Sequence, residues 1–433
     1  MQQSQQAILI TNIGLLATPE GTSASQGQDQ GKVRLLEDAY IKIKDGVIAE
    51  IGSNQDLAKD DTANYHVLDA QGSLVTPGLV DPHTHLVFAG WRQKELALKL
   101  KGMSYLDILQ MGGGILDTVR NTRAASFEEL KDFALRSLDR MLAHGTTTCE
   151  AKSGYGLDIQ NEIKLLQVIQ DLNKLHAMDL VPTFMGAHAV PPEYKDKVAD
   201  YVRVVNEEMI PEVARLKLAE FNDVFCEQGV FDLDQSREIL ECGQKYGLTP
   251  KAHAEELTAL GGASMAAQVG AISAEHLIHA TDQGIEDMSQ SGTIAVLLPA
   301  TSLNLGAKFA RARDMIAAGV PVALATDFNP GSCPTESLQL IMNLACMKYK
   351  LTPEEVLTAV TLNAAAAINR ADSIGTLEPG KLADLVLWDA PDLDFIMYRF
   401  GTNLVKTVVK KGQVFTIPKK LEPVLSCNSP GGK

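Results

Sequence analysis

The sequence is short of several features that would point to particular functions. Only six of its 433 residues are cysteine, and none form a C-x-x-C pair. A disulfide framework and a zinc ribbon are therefore not expected, and a reducing compartment, the cytoplasm, is. Basic charge is in deficit: 39 Lys and Arg stand against 54 Asp and Glu, a net −15. Phosphate backbones are held by clustered Lys and Arg, so the balance argues against a nucleic-acid partner. It leaves room for a small anionic substrate, which one buried Arg can hold. The opening "MQQSQQAILITNIGLLA" has no basic segment, and its apolar stretch is short and interrupted. Neither a signal peptide nor a membrane span is expected. Histidine is also scarce, at nine residues, so its placement carries information.

What is present is ordinary for a globular chain: 45% hydrophobic and 21% charged residues, enough for a large core in one domain or two. Residues 1–75 have β texture, with "AYIKIKDGVIAEIG" turning at Asp45-Gly46. The polar stretch "TPEGTSASQGQDQGK" inside this segment is expected to protrude or move. From 76 to 372, eight short apolar runs alternate with helical patterns such as "SFEELKDFALRSLDRMLAHG". The runs are "GLVDPHTH", "TTTCEAKSG", "VPTFMGAHAV", "FNDVFCEQGVF", "TPKAHAEE", "ISAEHLIH", "TIAVLLP" and "VPVALATDFNPG". This pattern predicts a (β/α)8 TIM-like barrel, with a doubly wound open sheet as the alternative. Residues 373–418 return to β texture and should complete one small β-sandwich domain with the first segment, leaving 419–433 as a loose tail.

Barrel active sites sit at the carboxyl ends of the strands. His83 and His85 end the first run, His188 the third and His253 the fifth, while His276 and His279 lie at the sixth. Asp327 ends the last run. His144 precedes the second run, at the opposite end, and His66 and His176 fall outside the pattern. In a strand, residues two apart share a face, so His83 and His85 project side by side. With His253 and Asp327 they make three imidazoles and a carboxylate, a set that suits zinc or iron, and also manganese. A metal so held lowers the pKa of a water it binds.

At this point the residues carry a resemblance. "VDPHTH", "AHAEE", "SAEHL" and "ATDFNPG" on a barrel, followed by "GTLEPGKLADLVLWD", resemble the amidohydrolase superfamily. "FAGWR", "GGGI", "EAKSGYGLD", "GAHAVP", "HAEELTALGG" and "ATDFNPGS" are similar to its cyclic-amide hydrolases of histidine degradation. The likeness spans nearly the whole chain, apart from the first ~30 and last ~15 residues. It implies hydrolysis of 4-imidazolone-5-propanoate to N-formimidoyl-L-glutamate. It also implies one Zn2+ or Fe3+ per subunit on His83, His85, His253 and Asp327, and a homodimer. Carbamylation of Lys152, the device of two-metal relatives, is not expected.

Further roles are read from the residues themselves, with the resemblance deciding only between Glu255 and Glu256. Arg92 is a fork-shaped donor for the substrate carboxylate. Tyr155 in "SGYGL" presents an exposed ring and hydroxyl, and His188 donates to the carbonyl oxygen as charge develops there. Glu256, favoured over Glu255, joins His276 in handling protons. Asn329, Gly331 and Ser332 form a turn whose N–H groups meet the substrate's polar end. Gly112 to Gly114 form a flexible loop near the mouth, since no G-K-[ST] follows. Arg311 to Arg313 make a solvated helix face. A deaminase acting on an aminated heterocycle would use the same metal donors and is the alternative activity.

Overall fold

The computed structural model describes residues 7–57, 64–103 and 113–417. The chain builds two sheets. In the first, β1 (Ile8–Thr18), β2 (Arg34–Lys44) and β3 (Val47–Ser53) form a meander, and β4 (His66–Asp69) and β5 (Leu74–Pro77) run parallel to β1. The expected Asp45-Gly46 turn joins β2 to β3, and both residues have positive φ (52° and 76°), as a tight hairpin requires. The C-terminal strands β14 (Leu385–Trp388), β15 (Val405–Lys410) and β16 (Gln413–Thr416) join the same sheet where β14 pairs with β5. Ile10, Ile41, Val75, Leu385 and Val409 bury their side chains in one cluster there.

The second sheet is an eight-stranded parallel barrel, and its strands are the eight apolar runs. They are β6 (Leu79–Asp81), β7 (Thr146–Lys152), β8 (Asp179–Ala187), β9 (Phe221–Cys226), β10 (Thr249–Ala254), β11 (Ser273–His276), β12 (Ile294–Leu297) and β13 (Val322–Leu324). Helices lie between them. The helix Phe127–Ala143 starts at a capping box, Ser126 with Glu129, and buries Leu130, Ala134, Leu138 and Met141 at helical spacing.

The polar stretch between β1 and β2 is largely exposed, but it is anchored to the barrel at one point. Gln30 within it is fully buried. Its amide accepts from Val322 N at 3.1 Å and donates to Val322 O at 3.1 Å, so it pairs β13 as a neighbouring strand would. A buried backbone N–H and C=O must find partners, and a glutamine side chain supplies both here. Ser25 exchanges two hydrogen bonds with the Asn363 side chain in the same region.

Candidate metal centre and active site

The barrel closes at its mouth. Beyond β6 and β13 the chain forms a parallel bridge between Thr84 and Phe328. Asp327 N donates to His83 O at 3.1 Å, and His85 N to Phe328 O at 2.9 Å. This last seam brings His83 and His85 beside Asp327, which lies 244 and 242 positions further along the chain. His276 and Asp327 leave their strands with φ of 70° and 57°. That left-handed backbone costs a non-glycine residue about 1–3 kcal/mol, and here it belongs to residues whose side chains line the mouth.

His83, His85 and His253 bring ligand atoms within 4.8 Å of one another. Nε2 of His253 is 3.4 Å from Nε2 of His85. Asp327 Oδ1 lies 3.4 Å from Nε2 of His83 and 3.7 Å from Nε2 of His85. All four side chains are buried, and Nε2 of His83 makes no hydrogen bond. Buried lone pairs that converge without a proton donor between them need a cation, so the residues fit a metal ion. Asp327 accepts from Thr301 Oγ1 at 2.6 Å through its other oxygen, Oδ2. Burial would raise its carboxyl, but the His83 contact leads the groups that hold it down, at about 2.

His188 stacks on His85, with ring centroids 4.7 Å apart and planes 13° from parallel. Its Nδ1 lies 3.0 Å from Gly154 O. A carbonyl oxygen only accepts, so Nδ1 carries the proton. Burial first, then the neighbouring His253, lowers its pKa to about 3, so the ring is neutral. Nε2 is then an acceptor, which corrects the expected donor role: this tautomer offers a developing oxyanion no proton. A Cβ on Gly154 would stand 2.9 Å from His188 Nδ1, so glycine is required for this approach. Tyr155 is also corrected, from an exposed ring to a buried one, packed 5.2 Å from His188 and 5.7 Å from His85 between centroids.

Glu256 Oε2 lies 3.7 Å from Nε2 of His276. Burial, then Asp327 and Glu227, push its carboxyl up to about 8, while burial lowers His276 well below the usual imidazole range. Glu255 is spent elsewhere: it accepts from Gly261 N and Ala263 N in the following turn. Arg92 is held side-on by Glu95, with Nε at 2.9 Å and Nη2 at 2.8 Å from its two oxygens. Its Nη1 lies so close to Gly331 that an added Cβ there would stand 2.1 Å away. Asn329 folds into its own turn: Oδ1 accepts from Gly331 N at 2.8 Å and Ser332 N at 2.7 Å, and Nδ2 donates to Asp327 O and Ser332 Oγ. The N–H groups expected to meet a substrate are thus engaged within the turn.

Lys152 lies on the second barrel strand, inside the barrel. Its ammonium pairs with Glu150 at 2.8 Å, Asp223 at 2.7 Å and Glu275 at 3.1 Å, all fully buried. Burial would lower its pKa, but these carboxylates, Asp223 first, raise it. Lys152 thus serves as the centre of a buried ion-pair cluster. Of the glycine triplet, Gly112 lies outside the described residues, and Gly114 N donates to Glu95 at 2.7 Å. Arg311 and Arg313 pair with Asp314, Asp282 and Glu355 at the surface. His279 donates its N–H to Glu255 O, and His144 and His176 sit with Ser337 and Asp139.

Sequence reading missed Glu95, Thr301, Asp223, Glu275, Glu150 and Lys251. A signal existed for four of them. "EAK" and "KAH" place Glu150 with Lys152, and Lys251 with His253, on one strand face, and "FND" and "SAE" put acids on the neighbouring strands.

A (β/α)8 barrel with three imidazoles and an aspartate gathered at its strand ends defines a metal-dependent hydrolase. The chain belongs to the amidohydrolase family, whose pattern matches residues 74–415. Its curated relatives include imidazolonepropionases. That of Brevibacillus brevis is 52% identical over 96% of this chain and 99% of its own length. That of Shouchella clausii is 54% identical over 90% of this chain and 88% of its own length. The fold is shared with a Xanthomonas campestris adenosine deaminase solved with bound zinc, at a TM-score of 0.67 and 19% identity over 94% of this chain and 92% of that one. In a chain of this family the donor set implies a metal and a small-molecule substrate. Among the described residues, no helix is long and apolar enough to cross a membrane.

Proposed function

We propose that the protein hydrolyses the ring C–N bond of 4-imidazolone-5-propanoate, giving N-formimidoyl-L-glutamate. The observation that carries this reading is the pairing of three clustered imidazoles and the adjacent Asp327 with Arg92, packed on Gly331 at the same mouth. The names of the relatives agree with it. In the reaction, water oxygen bonds to the cyclic-amide carbonyl carbon, the ring C–N bond breaks, and one water proton passes to the leaving nitrogen. His83, His85, His253 and Asp327 would hold one Zn2+ or Fe3+ per subunit. Such an ion polarises a carbonyl and lowers the pKa of water.

The remaining chemistry belongs to the chain. Arg92 binds the propionate carboxylate and orients the ring. Tyr155 and the stacked His188 wall the ring, and His188 Nε2 accepts from a ring N–H. Asn329, Gly331 and Ser332 shape the rim against which Arg92 lies. Asp327, held anionic, takes the proton from water. Glu256, whose carboxyl is pushed toward its neutral form by burial first and then by Asp327 and Glu227, delivers a proton to the leaving nitrogen and regains one from Asp327, with His276 beside it. The active unit is taken as a homodimer, from the resemblance, and its compartment as the cytoplasm, from the few scattered cysteines. A deaminase would share the metal donors and His276, but Arg92 favours a substrate with a carboxylate. Loss of imidazolonepropionate absorbance, followed with bound metal measured on the same sample, tests the reading. Ammonia release from an aminated heterocycle, with imidazolonepropionate untouched, would replace it.

A further inference from the structure

Below the mouth, the barrel interior carries a layer of charge where large branched apolar side chains are usual. Glu150, Lys152, Asp223, Lys251 and Glu275 are all fully buried there. Two of these acids face the rear of the candidate metal ligands. Asp223 Oδ2 lies 3.0 Å from Nδ1 of His253, and Glu275 Oε2 touches Nδ1 of His83. Neither approach lies along a hydrogen-bond line, so charge decides the proton. A carboxylate repels a lone pair and attracts an N–H.

We infer that Asp223 and Glu275 are positioning residues: they keep the proton of His253 and His83 on Nδ1, so that Nε2 of each is presented to the metal. The inference rests on the reading of His83 and His253 as metal ligands. Lys152 binds both acids at once, at 2.7 and 3.1 Å, and ties the two histidines to one support. Lys251 adds a second cation, 3.0 Å from Glu275.

The demand is for a carboxylate, and an amide of the same shape does not meet it. Apart from the ring nitrogen in question, the groups that contact Asp223 are donors. Oδ1 accepts from Val224 N at 2.7 Å and His253 N at 3.2 Å, while Oδ2 faces His253 Nδ1 and the Lys152 ammonium. Asparagine would aim its NH2 either at two backbone N–H groups or at the ring nitrogen and an ammonium. In the second orientation it would donate to Nδ1 and drive the proton to Nε2, where the metal belongs. Glu275 is in the same position, with Lys251 and Ser273 Oγ at one oxygen and Lys152 and His83 at the other.

The test reads metal affinity and tautomer, apart from turnover. Zn2+ affinity is measured by competition with a chromophoric chelator for wild type, Asp223→Asn and Glu275→Gln, with a thermal melt to confirm folding. Each folded variant should bind Zn2+ about 10- to 100-fold more weakly, the usual effect of losing an outer partner of a metal-bound histidine. Affinity equal to wild type in either folded variant overturns the inference. Labelled-histidine NMR of zinc-loaded wild type gives an answer that does not depend on the variants folding. His83 and His253 should each carry a proton on Nδ1, and a proton on Nε2 of either one overturns the inference. Wild-type zinc affinity in His253→Ala would instead sink the ligand assignment on which it rests.

Discussion

Arg92→Ala is the substitution whose consequences divide most clearly into two parts. The first concerns the substrate. A charge-assisted contact to a carboxylate contributes about 1.5–3 kcal/mol, so kcat/KM for imidazolonepropionate should fall about 10- to 150-fold at about 1.4 kcal/mol per decade. The fall should come through substrate capture, since Arg92 is not among the metal donors, and bound metal should stay at the wild-type level. The second part concerns the fold. Arg92 and Glu95 are both largely buried, and Glu95 grips the guanidinium through both oxygens. Removing one partner of a buried pair costs about 3–5 kcal/mol, because the other charge stays desolvated. Arg92→Ala should therefore melt at a lower temperature as well. The double variant Arg92→Ala/Glu95→Ala separates the two parts: it should recover much of the lost stability and none of the lost kcat/KM. Absorbance kinetics and thermal melts on the two variants measure both. Unchanged kcat/KM in Arg92→Ala would refute the carboxylate assignment, whatever happened to stability.

Other expectations bear on separate parts of the site. Gly331→Ala would place a Cβ 2.1 Å from Arg92 Nη1 and force the guanidinium aside, so KM should rise while bound metal is unchanged; an unaltered KM would mean that Arg92 works from another position. Thr301→Val removes the donor to Asp327 Oδ2 and should weaken Zn2+ binding about tenfold or more, with Thr301→Ser restoring it; equal affinity in the valine and serine variants would exclude this role. In the metal-free protein, Glu256 has its pKa raised to about 8 by burial and by Asp327 and Glu227. The folded state then keeps a proton that the unfolded chain loses in the ordinary carboxylate range. Folding stability should accordingly fall as pH rises from about 4.5 to 8, and Glu256→Gln should flatten that fall. Urea melts at both ends of the range measure it, and an identical pH slope in the variant would remove Glu256 as its source.

The barrel was legible because parallel strands buried on both faces read as apolar runs, and all eight runs became strands. The donor set was legible because barrel ligands sit at strand ends, a position visible in "HTH", "AHA" and "ATD". The charged layer beneath was not. "EAK" shows that Glu150 and Lys152 share a face, but which residues they meet depends on strand register, here Asp223 opposite Lys251 and Glu275 opposite His253. The burial of Gln30 was hidden for a related reason: a polar loop looks solvated until the strand edge it completes is seen. The His188 tautomer likewise depends on Gly154 O, brought to it by the fold.

The central claim is a hydrolysis carried by one metal held on His83, His85, His253 and Asp327, and it is tested most directly by following imidazolonepropionate absorbance across samples loaded with graded amounts of metal. Turnover should rise in proportion to bound metal, level off at one ion per subunit with N-formimidoyl-L-glutamate as product, and vanish together with bound metal in His253→Ala and Asp327→Ala. Full turnover in either variant, or none in fully loaded wild type, would contradict the account.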